Sequence, residues 1–191
     1  MLKKIIILIS TLTFLGCAST AKVISEKNKN DLIGAKINYV IEPTAGMRSN
    51  LGAAMLLGSL GHNLKGSQLQ QKLAIKDPSI YVLSGLEKYL TDTYRVKKGS
   101  DYQIVVKNYF WELNDPIMDE QDNLHISIGS RMQLFDKNNK VIASDECYEH
   151  MPMTGDFHLT EKDLDKNNEV KFSKAFSKLA NKCVKRFKLK L

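Results

Sequence analysis

Residues 124–148, LHISIGSRMQLFDKNNKVIASDECY, decide the fold. Leu124, Ile126, Ile128, Met132 and Leu134 recur at every second position with Ser130 among them, so Leu124–Phe135 reads as a strand with one apolar face. Asp136-Lys137-Asn138-Asn139 is a turn by composition, because Asp and Asn side chains satisfy nearby backbone groups. A second strand follows over Lys140–Tyr148, and a loop this short makes the pair a hairpin. A sheet with one apolar face requires a second layer to cover it.

The end of the chain supplies that layer. From Asn168, the residues Phe172, Ala175, Phe176, Leu179, Ala180, Cys183, Val184 and Phe187 form one stripe at helical spacing. Upstream of the hairpin, Asp101–Leu113 is a long strand weighted with Tyr102, Tyr109, Phe110 and Trp111, and Asn114-Asp115-Pro116 ends it. Ile37, Tyr39 and Ile41 alternate within a strand over Lys36–Glu42 that stops at Pro43. Asp77-Pro78 opens a helix that runs to about Thr93, with Asp as the cap and Pro at the first helical position. Ser49 or Asn50 to Leu73 reads as a further helix, weakened near Gly61–Gly66. The order predicts an α+β two-layer sandwich: an antiparallel sheet of about four strands packed by two to three helices, the C-terminal amphipathic helix included.

Composition permits a core, at 43 % hydrophobic and 26 % charged. The formal net charge is +7, but it is not evenly spread. Lys3 and Lys4 lie in the leader, and Val170–Leu191 carries eight basic residues and no acid. The remainder is mildly acidic. The regular apolar stripe makes the basic residues the solvated face of a packed helix; contact with anionic lipid is the other reading.

The N-terminus fixes a compartment. A basic start at Lys3-Lys4, an apolar run over Ile5–Leu15 and a small residue at Gly16 describe an export signal too short to cross a bilayer. Phe14-Leu15-Gly16-Cys17 resembles the lipobox of bacterial lipoproteins, with Phe14 where Leu is usual. The resemblance implies cleavage after residue 16, acylation of Cys17 including a palmitate-type chain, and, since Ala18 rather than Asp follows, retention in the outer membrane facing the periplasm. Residues 17–33 are polar and read as a flexible tether reaching roughly 22 Å, with a single periplasmic domain over 34–191. An exported chain is not expected to meet nucleic acid. With Cys17 acylated, Cys147 and Cys183 remain as a pair in an oxidising space, and a disulfide between them is expected. Cys183 lies in the apolar stripe, and Cys147 shares the parity of Val141 and Ala143.

Chemistry-bearing patterns are sparse. Cys147-x-x-His150 with His158 lacks the paired spacing of a zinc site, so no metal or other cofactor is expected. No G-x-S-x-G occurs, Ser130 lies inside a strand, and Asp145 and Glu146 alternate to opposite faces. An enzyme is therefore not expected. The acids read as solubilising. Two stretches are candidate partner or ligand surfaces: Leu56, Leu57 and Leu60 in the apolar run after Leu51, and Tyr109 and Trp111 on the aromatic strand.

The hairpin over Met132–Ala143 and the closing helix resemble a loose class of small envelope lipoproteins, which includes penicillin-binding-protein activators and auxiliary lipoproteins of ABC-type lipid transport. The resemblance is architectural. It implies a non-catalytic accessory role, with the membrane met through the lipid anchor and an envelope protein as partner. A glycan- or anionic-lipid-binding module is the alternative.

Overall fold

In a computed structural model, the described residues are 21–43, 46–51, 58–114, 123–164 and 166–191. Cys17, Leu56 and Leu57 lie outside them. The elements run α1 (Glu26–Leu32), β1 (Lys36–Ile41), α2 (Gly58–Leu73), α3 (Ser79–Tyr94), β2 (Lys97–Lys98), β3 (Tyr102–Asn114), β4 (His125–Phe135), β5 (Val141–Pro152), three short 3-10 turns and α4 (Glu169–Lys188). The α+β expectation holds. All eight residues of the closing stripe are buried in α4.

Two features of the sheet differ from expectation. It has five strands in the order β2-β1-β3-β4-β5, the extra one being the two-residue β2. It is also mixed: β1 runs parallel to both β2 and β3, while β3–β4 and β4–β5 are antiparallel. The connection from β1 to β3 contains two helices, and a crossover of that length returns the chain in the same direction.

Helices α3 and α4 are the described helices packed extensively on the strands, and both cover one face. Trp111 of β3 meets Phe176 of α4 edge-on, with ring centroids 5.5 Å apart. The two helices approach closely at Gly85, where a Cβ would stand 2.7 Å from Val184 Cγ2. A polar chain ties sheet to helix inside this layer. The Ser130 hydroxyl donates to Asn108 Oδ1, Asn108 Nδ2 donates to Asp77 Oδ1 at 2.7 Å, and the same oxygen accepts from the Ser79 N–H at 2.8 Å. Asp77 thus caps α3, as the Asp-Pro pair predicts, while also anchoring β3. Asn108 and Ser130 are fully buried, so each needs the other.

The tether expected to residue 33 is already structured at Lys22. Lys22 pairs with Ser144 on the free edge of β5 through backbone bonds of 2.8 and 2.9 Å. The Ile24 N–H donates to the Lys190 carbonyl at 2.8 Å, and Ile24 and Leu32 are buried. Ser25 caps α1 by accepting from the Asn28 N–H. Residues 22–24 therefore form a strap from the sheet edge to the end of α4. At that end the Tyr94 hydroxyl donates to the Leu191 carbonyl at 2.6 Å, and burial pushes its pKa up to about 12. The expected disulfide joins Cys147 of β5 to Cys183 of α4, with Cα atoms 5.4 Å apart.

Candidate functional site

Register between β3 and β4 breaks between Asn108 and Phe110. Before the break Ile104, Val106 and Asn108 face the helices; after it Trp111 and Leu113 do. The additional residue is a β-bulge, and it places Tyr109 and Phe110 together on the outer face. Gly129 makes room for them. A Cβ there would lie 2.3 Å from Phe110 Cε1 and 2.5 Å from Tyr109 Cε2.

The hairpin register sets Tyr148 of β5 beside Gly129 and His150 beside Ser127, extending the aromatic group into a row. Ring centroids are 5.1 Å apart for Tyr109–Phe110, 5.5 Å for Phe110–Tyr148 and 6.0 Å for Tyr148–His150. Tyr109 is 43 % and Tyr148 57 % exposed. Burial, and then the Glu146 carboxylate, hold the Tyr109 hydroxyl above its ordinary pKa, so it is a neutral donor at physiological pH. Arg131 Nε donates to Glu146 Oε1 at 2.7 Å on the same face, and Lys107 Nζ pairs with Glu42 at 2.5 Å. The result is an aromatic centre with charged pairs beside it.

Trp111 does not belong to this surface. It is fully buried against Phe176, because the bulge reverses its side relative to Tyr109. Leu60 is 68 % exposed on α2, an element separate from the ring row. Tyr148 and His150 were not expected here. Their shared parity on one strand was the available signal.

A second surface flanks the edge strand. Along the β5 side of α4, Lys178 stands 5.2 Å over the Phe157 ring, Lys182 pairs with Glu149 at 3.2 Å, and Arg186 pairs with Asp145 at 3.0 Å. Asp145 is therefore buried and paired, not a solubilising acid. Towards α3 a shallow groove of about 650 Å³ is lined by Tyr81, Val170, Lys174, Lys178 and Lys185.

The remaining chemical candidates do not converge. Cys147 faces α4 and is oxidised, whereas His150 faces outward, and His158 Nδ1 lies 2.9 Å from Asn123 Oδ1. Among the described residues, no group of three His, Cys, Asp or Glu side chains could hold a metal ion. Ser130 is spent on Asn108. No helix among the described residues is long and apolar enough to cross a membrane.

No family model matches the chain. No curated protein matches it either. Solved structures similar to it include a protein from Xanthomonas campestris, with 11 % identity, 80 % of this chain and 83 % of that one covered, and a TM-score of 0.44. A minor lipoprotein from Acinetobacter baumannii has 8 % identity over 78 % of this chain and 89 % of that one, with a TM-score of 0.39. The PelC dodecamer from Paraburkholderia phytofirmans has 12 % identity over 85 % of this chain and 90 % of that one, with a TM-score of 0.36.

Proposed function

We propose that this chain is a lipoprotein held by Cys17 to the outer membrane, with its domain in the periplasm, and that it serves envelope machinery by docking rather than by catalysis. The anchor rests on Phe14-Leu15-Gly16-Cys17 and Ala18. The observation that carries the docking role is the outer sheet face, where Tyr109, Phe110, Tyr148 and His150 form an unbroken row next to the Arg131–Glu146 pair. Aromatic side chains with Arg at the margin are the composition of an interface centre.

Ring geometry favours a protein partner over a glycan. A sugar stacks on a flat aromatic surface, but Tyr109 and Phe110 are inclined at 70° and Phe110 and Tyr148 at 46°. No two neighbouring rings share a plane. Inclined rings suit a partner that inserts side chains between them.

Cell fractionation and co-purification test this reading. Wild type is expected in the outer-membrane fraction and Cys17→Ser to be lost from it; equal distribution would remove the anchor. From detergent-solubilised membranes, an envelope protein should co-purify with wild type and with Lys97→Ala, and be lost from Tyr109→Ser/Tyr148→Ser. Retention by the double variant would count against the face. Loss of pelleting with purified cell-wall sacculi, without loss of a protein partner, would favour the glycan instead.

A further inference from the structure

The strap fixes the distance between lipid and domain. Lys22 is bonded to Ser144 on the free edge of β5, and only four residues, or five Cα–Cα steps, separate it from Cys17. Even fully extended, those five steps span at most about 18 Å. The β5 edge is thus the part of the sheet required to stay near the lipid that roots Cys17. The opposite edge, at Lys97–Lys98, lies four strand spacings away, or roughly 19 Å farther.

The charge at this edge suits an anionic surface. Lys178, Lys182 and Arg186 are spaced four residues apart and form one row on α4, alongside β5. Asp145, Glu146 and Glu149 of β5 are each matched by a cation: Arg186, Arg131 and Lys182. The acids of the edge are thereby neutralised, while Lys174 and Lys185 stand on the same helix in a stretch with no acid after Glu169. Lysine and arginine stems reach readily towards headgroup phosphates.

We infer that the domain stands with its β5 edge towards an anionic phospholipid surface, oriented jointly by the short link to Cys17 and by the cations of α4 beyond those paired to Asp145 and Glu149, namely Lys174, Lys178 and Lys185. In that posture the outer sheet face is upright and turned sideways, so Tyr109 and Phe110 remain open to a partner lying in the same membrane. The inference rests on the anchor reading of Cys17.

The test uses the full lipidated chain in vesicles of phosphatidylethanolamine and phosphatidylglycerol. The photo-crosslinking amino acid p-benzoylphenylalanine replaces Lys182 in one variant and Lys97 in another. Lipid adducts at position 182 should exceed those at 97 by about five-fold or more, and should fall by a similar factor when twelve Gly and Ser residues, roughly 20 Å of added reach, are inserted before Lys22. Membrane recovery should not change with that insertion. Equal adducts at both positions on a chain that is membrane-bound would overturn the orientation and leave the anchor standing. Protein adducts at 182 in cell membranes, in place of lipid adducts, would overturn it in favour of a protein-covered edge. Recovery of the unmodified chain in the soluble fraction would instead mark failure of the anchor, and the orientation would fall with it.

Discussion

Arg186 and Asp145 form an ion pair of unequal partners: the arginine side chain is 54 % exposed, and the aspartate it reaches is 3 % exposed. Arg186 Nε and Nη2 donate to the two carboxylate oxygens at 3.0 and 3.3 Å, and the Glu146 N–H donates to Oδ1 at 2.9 Å. The pair locks the edge strand to the last turns of α4.

That inequality predicts an asymmetric response. In Arg186→Met the carboxylate stays buried with one backbone donor, while in Asp145→Asn the guanidinium simply turns to water. The first should cost about 1–2 kcal/mol and the second less, since an exposed partner recovers its hydration. Urea denaturation of both variants measures the order, and a larger loss for Asp145→Asn would contradict this account.

The Cys147–Cys183 bond closes a loop of 36 residues. Replacing both by Ala should lower stability by about 3–4 kcal/mol in the chain-entropy model. In a Cys17→Ser background, unfolding without reductant should expose no reactive thiol. Two reactive thiols per chain would refute the bond.

Gly129 and Gly66 should answer differently to the same change. A Cβ on Gly129 meets the ends of two partly exposed rings, which can swing aside; a Cβ on Gly66 would stand 1.8 Å from the Met47 backbone carbonyl oxygen. Gly129→Ala is expected to cost about 1–2 kcal/mol and to disturb the aromatic row, and Gly66→Ala about 3 kcal/mol or more. Thermal melts rank the two, and tyrosine fluorescence reports the ring movement.

Asp136 predicts a pH effect. Its Oδ1 accepts from the Lys140 and Asn138 N–H groups, both at 2.9 Å, and these bonds, that from Lys140 foremost, hold its pKa below the usual carboxylate value. A depressed native pKa contributes stability that is present above the unfolded value of about 3.9 and is lost as pH falls through the native one. Asp136→Asn should lower stability at neutral pH and flatten the acid side of the profile, so that its gap to wild type closes as pH falls below about 4. Parallel urea midpoints for wild type and variant across that range would show that Asp136 contributes nothing there.

Period and parity made much of this fold legible. The stripe from Phe172 to Phe187 names the buried face of α4 because every third or fourth residue is apolar without exception. Strand direction left no such trace. Ile37, Tyr39 and Ile41 alternate identically whether β1 runs parallel or antiparallel. Lys97-Lys98 is too short to have a period at all. Residues 22–33 look like a tether because their order rests on a few contacts, Ile24 and Leu32 in the core and the pairing of Lys22 with Ser144, and not on a repeated pattern. The surface candidates Tyr109 and Trp111 were grouped because residues two apart share a face in a regular strand. The bulge at Tyr109 breaks that rule, sending one ring outward and the other into the core.

The junction of Ile24 with Lys190 couples the beginning of the domain to its very end. The α4 half of the sheet's cover, the strap's second attachment and the sulfur that pairs with Cys147 all come from residues 169–191. A chain emerging N-terminus first cannot complete any of these until α4 has been made. A product stopped before α4 would display the part of the apolar sheet that α4 covers and an unpaired thiol at residue 147. Incompleteness is thereby written on the molecule in two chemical forms, bare apolar surface and a free thiol.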